Sequence, residues 1–192
     1  DKPLKSLHFV TDQATGIAEL NNPLVLIVES QVDSVRKIQG ILEHAIKNNE
    51  SLFIIADVDP QVLSALAMNK MKGNIKVNIV DGPTYGFTKK EKLNDLAMMT
   101  GATVINEDLG DDMDLIEPIH LGRCKKVVSN KYDTIIQIEK TPEKVKDIIK
   151  EIQQKLHVEK LPGYIIAHEK RLALLAAKVA IVKVGANSEI EL

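Results

Sequence analysis

The sequence predicts an α/β domain of three layers, a parallel β-sheet between helices, with an antiparallel addition and two C-terminal helices. Strand and helix signals alternate in the first half, and the run 23–29 (PLVLIVE) is a short, continuous apolar segment typical of a strand buried on both faces. In the second half two strands follow one another directly before two helices. A length of 192 residues with 44% hydrophobic and 27% charged residues suits one folded domain.

The first half predicts four strands and three helices. Asp33 is the expected N-cap of the first helix, and Pro60 suits the first position of the second helix, which Gly73 closes. The predicted strands are 23–29, 51–57, 76–80 and 103–106, and the predicted helices are 33–48, 60–72 and 89–99.

The second half predicts a pair of strands, two helices and a last strand. The strands 126–130 and 133–139 are joined by a turn at Lys131-Tyr132, and Thr141 caps the following helix. Pro162-Gly163 separates that helix from the next. The helices span 141–156 and 165–177, and the last strand spans 179–184.

Composition and motifs exclude several classes of function. A net charge of −2 argues against a nucleic-acid partner, because phosphate neutralisation needs clustered Lys and Arg. The single cysteine, Cys124, excludes an internal disulfide and a multi-thiolate zinc site. No apolar run approaches the ~20 residues of a membrane span, and no glycine-rich phosphate loop occurs. The five histidines form no metal-ligand spacing, and helix or loop roles account for the acid pairs Asp57/Asp59 and Asp111/Asp112.

The helices 33–48 and 60–72 carry more apolar surface than one buried stripe needs. In the first helix Ile41 and Ile46 widen the stripe, and the second helix is apolar nearly all round, with Met68 and Met71. Either both helices are buried, or they leave an apolar groove that accepts a segment of another protein. The pattern leaves both interpretations open.

Motifs along the whole chain resemble the apical, substrate-binding domain of GroEL-type group I chaperonins. LNDLAMMTGATVINEDLG (93–110) is the most similar, and VAIVKVGANSEIEL (179–192) is also characteristic. The other segments are TGIAELNNP (15–23), LFIIADVD (52–59), LSALAMNKMKG (63–73), KVNIVDGP (76–83) and LGRCKKVVSNKYDTII (121–136).

This resemblance implies a swivelling β/α/β domain, formed by residues 1–192 of a longer subunit, with 179–192 leading back toward an intermediate domain. It implies binding of non-native polypeptides and, competitively, of the mobile loop of a co-chaperonin lid, within a seven-membered ring. ATP and Mg²⁺ would bind the absent equatorial domain, so this chain has no cofactor and is not itself an enzyme. The expected location is a bacterial cytoplasm, with an organellar matrix as the alternative. The implied polypeptide-binding residues are Leu4, His8, Phe9, Gln39, Leu42, Leu63, Ala67 and Met68.

The chain departs from the family pattern at several of these positions. Leu4 and His8 replace tyrosines, Gln39 replaces a leucine, and Ala177-Lys178 replaces the Gly-Gly pair of a hinge. A divergent member with altered substrate range, lid recognition and hinge freedom is expected. Two other functions stay open: a structural ring subunit that binds its lid or neighbour, and a small-molecule-binding α/β domain with its site at the carboxyl ends of the strands.

Overall fold

The computed structural model describes residues 17–71, 76–80, 86–111, 116–130 and 133–183. Short 3₁₀ turns lie at Val35–Ile38, Glu107–Leu109 and Pro118–His120. The helices are α1 (Gln39–Lys47), α2 (Pro60–Met71), α3 (Gly86–Thr100), α4 (Glu143–Val158) and α5 (Pro162–Ala176). The strands are β1 (Ala18–Asn21), β2 (Leu24–Val28), β3 (Leu52–Ile55), β4 (Val77–Val80), β5 (Val104–Ile105), β6 (Gly122–Arg123), β7 (Lys126–Ser129), β8 (Asp133–Gln137) and β9 (Val179–Lys183).

The centre of the domain is a five-stranded sheet in which four strands are parallel. Its order is β4-β3-β2-β5, and β6 pairs antiparallel with β2. Strands β2, β3 and β4 are buried along their whole length, and all their residues except Asn78 of β4 are apolar. Successive side chains point to opposite faces, so each strand contributes to two separate cores.

Helices α1 and α2 cover one face of this sheet. Leu26 and Ile54 point toward this side, where they share a buried cluster with Ile41 and Leu66. Each helix connects two parallel neighbouring strands, so it must lie flat on the sheet as a crossover connection. The predicted α/β architecture is confirmed at this level.

The other face of the sheet packs against α3, the second sheet and the α4–α5 pair. The second sheet is antiparallel, in the order β1-β7-β8-β9. A buried polar link joins the two sheets, since Asn78 Nδ2 donates to Ser129 Oγ at 2.9 Å and Ser129 Oγ lies 2.7 Å from Thr134 Oγ1. These bonds connect β4 of the first sheet to strands β7 and β8 of the second.

Helices α4 and α5 form the outermost layer. Val145 and Ile152 of α4, seven residues apart, are buried against the second core. Leu175 is the buried residue of α5, and Arg171 attaches this helix to α3 by two hydrogen bonds of 2.9 and 2.6 Å to Asp95. No helix within the described residues is long and apolar enough to cross a membrane.

The structure confirms Pro60 as the first residue of α2 and corrects the other four predicted helix starts. The cap at Asp33 is wrong, because Ser34 Oγ accepts the bond from the Arg36 amide and a 3₁₀ turn precedes α1. The cap at Thr141 is also wrong, since Pro142 occupies that position without a side-chain hydrogen bond. Pro162 begins α5 instead of separating it from α4, because a proline fits the first turn of a helix. Helix α3 begins at Gly86, three residues before the predicted start.

Strands β1 and β6 were not predicted. Strand β1 alternates between buried and exposed residues, and β6 is only two residues long, so neither has a continuous apolar run. The predicted turn at Lys131-Tyr132 and the predicted helix end at Gly73 lie outside the described residues.

Candidate functional site

A contact made by Lys37 on one side of α1 shows that the opposite side of this helix faces α2. Lys37, just before α1, places its Nζ 2.7 Å from Glu107 Oε2 and 3.0 Å from Asp33 Oδ1. Both hydrogen bonds raise the pKa of Lys37, that to Glu107 most, so its charge is held beside β5. Strand β5 lies on the side of β2 opposite to β3. The edge of α1 turned away from Lys37 therefore faces α2.

That edge of α1 carries Gln39, Leu42 and Ile46, which recur at intervals of three and four residues. Leu42 is buried at 7% exposure, whereas Ile46 is 46% exposed. Gln39 is also exposed, and its Nε2 donates to Glu43 Oε1 at 3.2 Å. Along this edge, Leu42 forms a buried apolar floor. Ile46 forms an exposed apolar rim at the C-terminal end of α1, and Gln39 forms an exposed polar rim at its N-terminal end.

The edge of α2 nearest to α1 is identified by Gln61. Its Nε2 donates to the backbone oxygen of Asp33 at 2.9 Å, across the space between the two helices. Ala65 and Met68 follow Gln61 at helical intervals of four and three residues, so they share this edge. Ala65 is half-buried, and Met68 is 58% exposed.

The two edges bound a groove, here called the α1–α2 groove, defined by Gln39, Leu42, Ile46, Gln61, Ala65 and Met68. Its floor is apolar and continuous with the core under α1 and α2. Its rims expose Ile46 and Met68 to solvent. Such a surface can bind an apolar segment of another molecule without any covalent chemistry.

The structure places the residues of the predicted binding site differently. Gln39, Leu42 and Met68 line the groove. Ala67 is 6% exposed within the core, and Leu63 packs against that core, so both support α2 from below. Leu4, His8 and Phe9 lie outside the described residues. Their role in binding stays a prediction.

Ile46 is a groove residue that the sequence did not assign to the site. Its signal was its spacing, four residues after Leu42 and seven after Gln39. Periodicity alone could not separate it from Ile41, which is 2% exposed and lies in the core. The contact between Lys37 and Glu107 shows which edge of α1 faces α2, and Ile46 lies on that edge.

The carboxyl ends of β2 and β5, where a small-molecule site was the alternative, are closed by protein contacts. The Lys37–Glu107 ion pair spans them, and the Glu107 amide donates to Ser30 Oγ at 3.1 Å. A cavity of about 280 Å³ lies at the opposite end of the sheet, beside Asn22, Gly101 and Arg123. There the Arg123 guanidinium already donates to Asn22 O and Glu50 Oε2, at 2.7 and 3.1 Å. These contacts do not favour a small-molecule site at the carboxyl ends of β2 and β5.

Cys124 and the acidic residues do not extend the site. Burial raises the pKa of the Cys124 thiol to about 12 and outweighs the lowering caused by the backbone hydrogen bond at Lys126 and by the charge of Arg123. Asp59 accepts from Gln31, and Asp111 Oδ2 accepts from the Asn106 amide at 2.9 Å. Among the described residues no three His, Cys, Asp or Glu side chains come together as metal ligands.

Fold and surface together define an α/β domain whose candidate site is an open apolar groove between two crossover helices. No family model matches the chain. It is 36% identical to the mitochondrial chaperonin CPN60-1 of Zea mays over 200 aligned positions, which cover 100% of the chain and 33% of the relative. Mitochondrial chaperonin CPN60 of Arabidopsis thaliana is also 36% identical, with the same coverage.

The chain is thus a chaperonin CPN60 homologue throughout its length, in agreement with its resemblance to a GroEL-type chaperonin domain. It spans about one third of the length of these relatives, 33% in the case of the maize protein. The expected bacterial cytoplasm is contradicted, because the relatives compared are mitochondrial chaperonins of plants and point to an organellar matrix.

Proposed function

We propose that this chain is the apical domain of a chaperonin subunit and that it binds non-native polypeptides in the α1–α2 groove. The observation that carries this proposal is the exposure of Ile46 and Met68 above the apolar floor formed by Leu42. Homology to chaperonin CPN60 supports it independently of the groove geometry.

The chemistry of the groove suits a partner without a fixed sequence. Burial of apolar surface contributes roughly 25 cal/mol per Å² and requires no particular arrangement of donors and acceptors. Met68 adapts to different partners because its side chain is flexible and polarizable. Several weak grooves in one ring would bind one unfolded chain more tightly than a single groove.

In this proposal residues 1–192 form one swivelling β/α/β domain of a longer subunit, and 179–192 lead toward an intermediate domain. Seven such subunits form a ring whose ATP and Mg²⁺ lie in a separate domain, so this chain itself hydrolyses no ATP. The assembly acts in an organellar matrix and assists protein folding. Leu4, His8 and Phe9 also contribute to polypeptide binding in this proposal.

Suppression of aggregation tests the proposed binding. Chemically denatured test protein is diluted into buffer that contains the domain in excess, and light scattering is followed. The double variant Ile46→Gln, Met68→Gln removes the apolar rim without changing net charge. We expect wild-type to suppress aggregation and this variant to bind roughly tenfold or more weakly, because both apolar side chains are lost.

The chain offers a matched control in the double variant Val158→Gln, Ile166→Gln. These residues are 76% and 64% exposed on α4 and α5, so the same chemical change is made away from the groove. It should suppress aggregation as well as wild-type does. Equal loss in both double variants would contradict a specific groove, and no suppression by wild-type would contradict the proposed function.

A narrower function, binding of a co-chaperonin lid loop, is favoured by one observation. Gln39 and Glu43 form a polar, acidic rim at the N-terminal end of the groove, with 3.2 Å between Nε2 and Oε1. Such a rim selects a partner with a matching donor or cation. Titration of a lid-loop peptide into wild-type and Gln39→Leu decides this: weaker binding by Gln39→Leu supports a lid-specific groove, whereas stronger binding supports a general apolar one.

A further inference from the structure

The two loops that lead into α1 and α2 are joined to each other. Val32 and Val58 form an isolated parallel bridge, in which the Val32 amide donates to Asp57 O at 2.8 Å and the Asp59 amide donates to Val32 O at 2.9 Å. Both valines are buried, at 0% and 6% exposure. This bridge extends the pairing of β2 and β3 beyond the carboxyl ends of the strands.

Two glutamine side chains reinforce this bridge from the solvent side. Gln31 Nε2 donates to the carboxylate of Asp59. Gln61 Nε2 donates to the backbone oxygen of Asp33 at 2.9 Å. Each bond connects the segment at the start of α1 with the segment at the start of α2. The two residues of each pair are 28 positions apart in sequence.

Gln61 differs from Gln31 because it belongs to α2 itself. Its bond therefore holds the first turn of α2 at a fixed distance from the segment that begins α1. Met68 lies seven residues later on the same edge, about 10 Å along the helix at 1.5 Å per residue. A small rotation of α2 about its first turn would change the width of the groove most at Met68 and Ile46.

We propose that Gln61 is a positioning residue that sets the separation of α1 and α2, and thereby the width of the groove at its apolar C-terminal end. The inference rests on the proposed function, since it concerns affinity for a polypeptide in that groove. Gln61 acts through the placement of α2, and the apolar contact with the partner is made by Met68 and Ile46. A long side chain with a hydrogen-bond donor is what this position requires.

The test combines a distance with an affinity. Spin labels are placed on cysteines introduced at Lys47 and Ser64, both exposed, in a Cys124→Ala background. Gln61→Met removes the donor at nearly constant length, and Gln61→Lys restores one. The binding probe is a reduced and alkylated protein that stays unfolded, and urea unfolding of each variant reports stability.

We expect Gln61→Met to broaden the distance distribution between the labels and to weaken probe binding about two- to tenfold, the range for loss of one hydrogen bond. Gln61→Lys should restore both, which a purely structural loss of stability would not do. An unchanged distance distribution in Gln61→Met would overturn the inference, as would a broadened one with unchanged affinity. If wild-type does not bind the probe, the proposed function and the claim on affinity fall together, and the distances still decide whether Gln61 sets the helix separation.

Discussion

Helices α2 and α5 have similar apolar compositions but different surroundings. In α2, the side chains of Val62, Leu66 and Ala67 are buried in the core between the helix and the sheet, and Met68 is exposed at the edge of the helix. Helix α5 buries Leu175 and leaves Tyr164 and Ile166 at 59% and 64% exposure. One helix is a sheet-covering element with an apolar edge, and the other is an outer element with apolar residues on its surface.

The difference follows from how each helix is connected. Helix α2 joins two neighbouring parallel strands and must lie on the sheet between them. Helix α5 follows α4 and packs beside it in the outer layer, where only its C-terminal part, with Leu175, reaches the second core. Met68, exposed on α2, borders the apolar floor formed by Leu42, whereas Ile166 is exposed nine residues before Leu175, the buried residue of α5. Apolar composition alone therefore does not identify a binding groove.

The largest expected effect is the difference in stability cost between removing a buried side chain of α2 and removing an exposed side chain of α5. Leu66→Ala should lower the free energy of unfolding by about 2–5 kcal/mol, because Leu66 has 0% exposure and its removal leaves a cavity. Ile166→Ala on α5 should change it by about 0.5 kcal/mol or less. Urea unfolding followed by circular dichroism measures both. Similar costs at the two positions would show that α5 is covered in solution.

A smaller effect tests what holds α5 in place. Arg171→Ala removes both hydrogen bonds to Asp95 and should cost about 1–2 kcal/mol, since the pair is only partly buried. Arg171→Lys keeps the charge but loses the planar, two-pronged contact, so it should recover only part of this loss. Hydrogen exchange of α5 amides should rise in Arg171→Ala more than that of α2. Equal protection of α5 in both variants and wild-type would exclude this role.

The smallest effect concerns the end of α5. Lys178 has a φ of 59°, in the left-handed region that glycine adopts without strain. Lys178→Gly should therefore stabilise the domain by roughly 0.5–1 kcal/mol, despite the loss of the 3.3 Å bond from Lys178 Nζ to Glu139 O. Ala177→Gly, at an ordinary helical φ of −76°, serves as the control and should destabilise slightly. A loss of stability in Lys178→Gly would show that the Nζ contact outweighs the backbone strain.

Much of the fold could be predicted because burial on both faces leaves a local signal. Strands β2 and β3 are continuous apolar runs, and β4 is apolar except at Asn78. Pro60, followed by a segment rich in apolar residues, indicates α2. Strands β1 and β6 could not be predicted, because their pairing partners lie more than 90 residues away in the chain. Four of the five helix starts were also missed, whereas Pro60 was correctly predicted as the first residue of α2.

Part of the candidate site could also be predicted. The excess of apolar surface on the two helices indicated a groove, and the resemblance indicated Leu42 and Met68 among its residues. The sequence could not distinguish Ile46, on the rim, from Ile41, in the core. It also gave no sign that Gln61 reaches Asp33, because two residues 28 positions apart have no local relation.

The sequence by itself determined the α/β class, the apolar nature of both crossover helices and the relation to chaperonins, because periodicity and motifs are properties of short segments. Only the tertiary structure decided which edge of each helix faces the other. That choice depends on contacts between distant segments, Lys37 with Glu107 and Gln61 with Asp33. Such contacts form only when the strands are paired and the crossover helices lie on the sheet, so no local pattern encodes them.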